Sequence, residues 1–208
     1  MKNLKLITLM LITLIGLQSC EEPVGKIDGS VYWKYNDCVG NKPDAGSKVK
    51  LFSYDEPSLV YNSSVDINGE FRIDNVNVGK YLMVVESENT NTSESDMVQE
   101  LFFYINDLDK IFGTKLNKEL KTDFELYNKI DEEIINLMTS NDTYDFKLIK
   151  KKEEELNDIS TTILTKIRRN IFIDINLSPL LTKIKLRNVR IEDGKVTSEQ
   201  FDLGITYF

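Results

Sequence analysis

The residues that could carry chemistry in this chain are its carboxylates, lysines, tyrosines and two cysteines, because it contains no histidine. The absence of imidazole excludes Ser-His-Asp and Cys-His catalysis and every histidine-ligated metal site. General acid–base chemistry would therefore fall on carboxylates, Lys or Tyr. Acidic residues adjoin at Asp131-Glu132-Glu133, on a predicted helix, and at Glu192-Asp193, at a predicted turn; solvation explains both. We predict no catalytic residue, no metal ligand and no cofactor, and a small hydrolase using two carboxylates is the least favoured alternative.

The composition is that of a folded domain with an acidic surface. The 208 residues are 41% hydrophobic and 29% charged, with a formal net charge of −8. These proportions exclude wholesale disorder. The negative charge also argues against a nucleic-acid partner, which requires a basic footprint.

The N-terminus predicts export from the cytoplasm. Lys2 and Lys5 precede an apolar run from Leu6 to Leu17. A membrane-spanning helix needs about 20 apolar residues, so residues 1–19 are predicted to be a signal peptide.

The end of that segment, Leu17-Gln18-Ser19-Cys20, resembles the lipobox of bacterial lipoproteins. The resemblance implies that Cys20 is lipidated, becomes the mature N-terminus and binds the membrane, with 20–24 as the tether. Glu21-Glu22 is similar to the surface-export signals of Bacteroidota lipoproteins, which implies an outer-membrane protein displayed on the cell surface. An ordinary signal peptide with a chance cysteine is the alternative. Cys38, the other cysteine, is predicted to be a small partly buried side chain.

Residues 25–87 alternate with a period of two, which is typical of strands. The first runs are Val31-Tyr32-Trp33-Lys34-Tyr35, Lys48–Phe52 and Glu70–Asp74. Turn residues separate them, notably Asn68-Gly69, for which we expect a tight hairpin turn. Short strands at this spacing, with turn residues between them, predict a β-sandwich or a β-barrel.

Four stretches in this region together resemble the carboxypeptidase regulatory-like domain. They are Gly29-Ser30-Val31, Lys42–Leu51, Asp66-Ile67-Asn68-Gly69-Glu70-Phe71 and Val78–Val84. The resemblance covers about 60 residues and implies a seven-stranded transthyretin-like sandwich without an active site of its own. In its last strand, Tyr81, Met83 and Val85 are expected to face one side.

Residues 88–169 change to helical spacing. Ser93 with Asp96 resembles a capping box, and the stripe that follows predicts a first helix that ends at Gly113. Two further helices, about 116–138 and 144–168, predict an antiparallel hairpin, alone or within a three-helix unit.

Residues 170–208 return to a period of two and predict three more strands, with a hairpin turn at Asp193-Gly194. Together with the family resemblance, these patterns give an expected fold class of α+β. A transthyretin-like or immunoglobulin-like antiparallel β-sandwich (25–87 plus 170–208) is interrupted by a helical insertion (88–169). Two independent domains is the competing arrangement. Lys183, Lys185, Arg187 and Arg190 form a basic strip that could meet an anionic glycan or the acidic helices of the protein itself.

The function these features favour is a non-catalytic surface lipoprotein that presents a helical projection to a protein partner. The alternative is glycan binding on exposed aromatic residues of the sandwich. Its candidate residues are Trp33, Tyr32 and Tyr35, with Tyr54 and Tyr61 as further members. Core packing of the Trp33 face is the plainer interpretation.

Overall fold

The computed structural model describes residues 22–36, 40–139, 145–170 and 182–205. In these ranges the chain has a mixed α+β fold, with eight strands in two sheets and five helical segments between the sixth and seventh strands. The strands are β1 (Val24–Asn36), β2 (Gly40–Pro43), β3 (Lys48–Ser53), β4 (Val60–Ser64), β5 (Glu70–Asn77), β6 (Gly79–Asn91), β7 (Thr182–Ile191) and β8 (Val196–Ile205). The helices are α1 (Glu94–Phe103), α2 (Ile105–Phe112), α3 (Leu116–Glu119), α4 (Lys121–Thr139) and α5 (Phe146–Asn170).

Each sheet combines strands from before and after the helices. In the first sheet β1 pairs with β2, β5 and β8; the second sheet has the order β4-β3-β6-β7. The ladders are antiparallel except for β8, which runs parallel to β1. The return of the chain therefore adds one strand to each sheet.

The two sheets share one apolar core, and the helices form a second core on the outer face of the second sheet. Strand β6 faces both cores because its side chains alternate. Tyr81, Met83 and Val85 face the first sheet, as predicted, while Leu82 and Val84 face the helices. The helices contribute Met97, Val98, Leu101, Ile105, Leu108, Ile111, Leu116, Leu120, Phe124, Tyr127, Ile130, Ile134, Leu156, Ile163, Leu164 and Ile167 to the second core. No described helix is long and apolar enough to cross a membrane.

The ends of the first helical segment agree with the sequence signals, but its middle does not. The Ser93 hydroxyl accepts the Asp96 backbone N–H at 3.0 Å, and Gly113 ends α2 in the left-handed conformation (φ 65°), as helix caps require. The predicted single helix is broken at Tyr104, whose N–H bonds back to the carbonyl of Leu101. Neither Gly nor Pro marks this break in the sequence.

Helices α4 and α5 form the predicted antiparallel hairpin. Ion pairs join Lys152 to Glu133 (2.8 Å) and Lys166 to Asp123, so that residue numbers rise on one helix as they fall on the other. The second predicted helix is shorter than expected, because α3 and α4 are separated at Leu120.

The hairpin crosses α1 and continues past its N-terminus. On α4, the Phe124 ring contacts the Phe102 ring at a centroid distance of 4.6 Å and an interplanar angle of 53°, and the Tyr127 hydroxyl lies 2.6 Å from that of Ser95. Twelve more residues of α4 follow Tyr127, which is about 18 Å of helix.

Two predicted hairpin turns are tight turns that join different sheets. At 66–69 the Gly69 N–H bonds to the Asp66 carbonyl, and Gly69 has the expected positive φ (85°), but the turn leads from β4 in one sheet to β5 in the other. The turn at 192–195 likewise leads from β7 to β8. Alternation of side chains fixes the faces of a strand and not its partner, which is why the pairing expectation was wrong.

The boundaries of the predicted segments also shift. Strand β6 continues to Asn91, beyond the expected end at 87, and there Asn91 pairs with Thr182 of β7. Strand β1 already begins at Val24, inside the expected tether. The predicted strand at 171–177 lies outside the described residues.

Candidate functional site

The aromatic residues predicted to bind glycan do not gather on an exposed platform in the described part of the chain. Trp33 is 7% exposed and belongs to the core between the sheets, whereas Tyr32 points the other way and is half-buried. The Tyr35 side chain lies outside the described residues. The core interpretation of the Trp33 face therefore holds.

The two further tyrosines are also half-buried and have bonded hydroxyls. Tyr54 donates to Asn188 at 2.6 Å, and Tyr61 accepts the Asn77 backbone N–H at 3.1 Å. Burial, followed by the Asp107 carboxylate, raises the pKa of Tyr54 far above its ordinary value. These hydroxyls tie strands and helices together.

Both cysteines, Cys38 and the predicted lipidation site Cys20, lie outside the described residues. The described chain begins two residues after Cys20, at Glu22.

The most deeply buried carboxylate, Asp44, organises a polar cluster at the end of β6. It is fully buried and accepts the hydroxyls of Ser47 (2.7 Å) and Ser87 (2.5 Å) and the side-chain amide of Asn89 (2.6 Å). No cation pairs with it in these contacts. The cluster fixes the loop before β3 to β6, which is a structural task.

Two further acidic residues, Glu100 and Glu133, also bond to groups of neighbouring elements. Glu100 of α1 accepts the Leu186 backbone N–H of the edge strand β7 at 2.8 Å and pairs with Lys185. Glu133 pairs with Lys152 across the hairpin. In the described part of the chain, no three His, Cys, Asp or Glu residues are grouped so that they could hold a metal ion.

The basic strip on β7 contacts acidic residues of the protein itself. Lys185 meets Glu100 of α1, and Arg187 meets Glu199 of β8 at 2.6 Å while its guanidinium lies over the Phe201 ring. Burial, and then the charge of Lys185, lower the pKa of Lys183. An anionic glycan would have to compete with these internal contacts.

A polar cavity lies at the surface of the first sheet in the described part of the chain. Its volume is about 740 Å³, and its lining includes Asp28, Ser30, Glu70, Arg72 and Ser198. Ser198 already donates to Asp28 at 2.6 Å, and Arg72 pairs with Asp74. The cavity offers hydroxyls and carboxylates without an exposed aromatic ring beside them.

Exposed apolar side chains lie near the C-terminus of α4 and the N-terminus of α5, the two helix ends that face the connection of the hairpin. Ile135 and Met138 on α4 are each 50% exposed, and Leu148 near the start of α5 is also exposed. We call these three residues the hairpin tip. The helical spacing of the buried residues does not single them out, because they flank the buried positions Ile134 and Ile149. Apolar residues three apart beside a complete stripe were the signal that could have found them.

A second exposed apolar site lies at the C-terminus of α1. Phe103 is 79% exposed, and next to it Phe102 borders a groove of about 300 Å³ lined by Val98 and Tyr127. Like the hairpin tip, it was missed because Phe103 lies off the helical stripe.

Comparison with known proteins gives little guidance. No family model matches the chain, and no curated protein matches it. A solved structure from Pseudomonas aeruginosa, described as a "putative carbohydrate binding protein", is similar over 36% of this chain and 72% of its own, with 18% identity and a TM-score of 0.27. A likeness at this level carries no conclusion about fold or ligand.

Proposed function

We propose that this chain is a non-catalytic surface lipoprotein of the bacterial outer membrane, anchored through Cys20, that presents the hairpin tip to a protein partner. Its sheets would be a transthyretin-like sandwich of the carboxypeptidase regulatory-like kind. The hairpin tip is the observation that carries the proposal.

The hairpin tip has the chemistry of a protein-binding surface. Ile135 and Met138 lie one helical turn apart on α4, so they cover one face together. Their exposure at the end of a two-helix projection leaves apolar area in water that a partner could bury. Aliphatic side chains without hydrogen-bonding groups suit a protein surface better than a sugar.

The body beneath the hairpin supports a display role because its polar groups are engaged internally. Asp44, Glu100 and Glu133 each bond to neighbouring elements. None of the three is left to act as a general acid or base on a bound substrate, which would need convergent groups within hydrogen-bonding reach.

One glycine of the family resemblance has a steric role in this structure. A Cβ on Gly29 would lie 2.0 Å from the Glu199 carbonyl oxygen and 2.8 Å from the Phe71 ring. The G-x-V stretch that opens the resemblance thus marks a place where β8 and a core ring approach the backbone of β1. Only glycine fits there.

Site-specific photo-crosslinking in the producing cells tests the proposal. A photoreactive residue in place of Met138 should give a discrete cross-linked protein adduct. The matched control is Leu126 on the same helix, which is 47% exposed but lies nine residues from Ile135 and outside the hairpin tip. A photoreactive residue at Leu126 should give no such adduct.

A charge at the hairpin tip should then remove the adduct. Ile135→Glu would place an unpaired carboxylate in the proposed interface, which should weaken binding at least about tenfold. Leu126→Glu should leave the Met138 adduct unchanged. Equal adducts from positions 138 and 126, or an adduct indifferent to Ile135→Glu, would contradict the proposed surface.

A further inference from the structure

The start of the described chain is bound to one end of the sheets. The Val78 N–H donates to the Pro23 carbonyl at 3.0 Å, and the Asn77 side-chain amide donates to Glu22 at 3.0 Å. The Gly194 N–H donates to the Val24 carbonyl at 3.0 Å. We call this end, formed by residues 22–24, 77–79 and 192–196, the base.

From the base, three residue steps lead back to Cys20. An extended chain covers at most about 3.5 Å per residue, so Cys20 lies within about 10 Å of Pro23. A lipid on Cys20 would thus bring the base to the bilayer, whichever conformation the intervening residues adopt. A long tether would instead leave the body free to rotate.

The base carries side chains that suit this position. Val78 and Val196 are among the large apolar residues that remain exposed, and both are in the base. Beside them the turn at 192–195 presents both signs of charge, with Glu192 paired to Lys195. Such a surface can touch lipid headgroups without depending on their charge.

The hairpin extends from the opposite end of the sheets. Strand β7 runs from Ile191, at the base, to Thr182, a rise of about 30 Å. Glu94, where α1 begins, follows closely on the far end of β6 and contacts Thr161 of α5. The fifteen residues from Thr161 back to Phe146 add about 22 Å of helix.

We propose that the base lies against the lipid surface and holds the hairpin tip away from it, by a distance of up to about 50 Å. This orientation is inferred from three observations: the short connection from Cys20, the hydrogen bonds of residues 22–24, and the direction of the hairpin. It rests on the proposed lipid anchor and gives the display role its geometry, because a partner would meet the hairpin tip before the membrane.

Energy transfer from the lipidated full chain to labelled vesicles tests the orientation. The vesicles contain phosphatidylethanolamine, phosphatidylglycerol and a trace of rhodamine-labelled lipid as acceptor. In a Cys38→Ser background, the donor dye is attached to a single cysteine at one of three positions. These are Asp193 in the base, Asn41 of β2, which pairs with Lys34 near the far end of β1, and Lys147 near the hairpin tip. All three positions are exposed.

Transfer should be strong from position 193, weaker from 41 and close to background from 147. A Gly-Ser linker of about 12 residues between Glu21 and Glu22 should lower transfer from 193, because it adds about 20 Å of flexible tether. Equal energy transfer from positions 193 and 147 would overturn the orientation. So would energy transfer from position 193 that is unchanged by the linker. A protein that carries no lipid and does not bind the vesicles would instead overturn the proposed anchor, so the two failures are distinguishable.

Discussion

Removal of the Asp44 carboxylate should be among the most damaging single changes outside the apolar cores. In Asp44→Ala, the hydroxyls of Ser47 and Ser87 lose their acceptor in a fully buried site. The backbone N–H of Asn89 keeps the Ser87 oxygen, 3.2 Å away, as an alternative acceptor. Two buried donors are therefore left without a bond.

The size of the effect follows from the cost of unsatisfied buried donors. Each costs about 1–3 kcal/mol, so the loss of two bonds in Asp44→Ala should lower the free energy of unfolding by about 2–6 kcal/mol. Asp44→Asn should cost less, because the amide keeps one acceptor oxygen but turns an N–H group towards donors. Asp28→Ala is the matched control, since Asp28 also accepts a serine hydroxyl, from Ser198, but at the surface.

Urea unfolding followed by circular dichroism measures the change. With a slope near 2 kcal/mol per molar, Asp44→Ala should lower the midpoint by about 1–3 M, whereas Asp28→Ala should shift it by less than about 0.3 M. If Asp44→Ala unfolds at the same urea concentration as the control, the polar cluster does not stabilise the fold and the reasoning fails.

Three further changes test other parts of the structure. Gly29→Ala should destabilise the protein by about 1–3 kcal/mol, because the methyl group meets Glu199 and Phe71; Ser30→Ala, on the outward face, should be nearly neutral, and equal melting temperatures of the two variants would refute the close approach. Glu100→Ala should cost about 1–2 kcal/mol, because the Leu186 N–H of the edge strand loses its acceptor, and hydrogen exchange at Leu186 should quicken; unchanged exchange would count against the contact. Burial, followed by Tyr61, raises the pKa of Tyr81 to about 12, so the folded state keeps this proton while the unfolded state loses it near pH 10. Stability should therefore fall as pH rises from about 10 to 12, and Tyr81→Phe should flatten that fall; an identical alkaline profile would refute the assignment.

Local features of the fold could be predicted from the sequence because their causes are local. The two faces of β6, the Ser93 cap and the end of α2 at Gly113 depend on residues within a few positions of each other. The helical hairpin could also be predicted, since α4 and α5 each carry an apolar stripe that is buried when the two helices pack together.

The pairing of strands could not be predicted in the same way. That β8 lies parallel to β1, and that the turns at 66–69 and 192–195 cross between sheets, depends on contacts between distant segments. The break at Tyr104 has a similar origin, because no breaker residue marks it and the helices on both sides pack on the second sheet.

The sequence indicated the type of element that could form a binding surface, but not the residues of that surface. The sequence pointed to a helical projection, but it placed the aromatic candidates on a strand whose inward side chain, Trp33, is buried. Ile135 and Met138 can be recognised as exposed only once the structure shows which neighbouring residues of α4 form its buried face. Asp44 had no signal beyond its place in a turn, because two of the residues that donate to it, Ser87 and Asn89, lie 43 and 45 residues away.

The most direct test of the proposed lipoprotein is metabolic labelling of the full chain with a palmitate analogue, followed by membrane fractionation. The native chain should take up the label and fractionate with the outer membrane, and Cys20→Ala should do neither, while Cys38→Ser should behave as the native chain does. A Cys20→Ala chain that still carries the label, or a native chain that carries none, would contradict the anchor on which both the display role and the orientation depend.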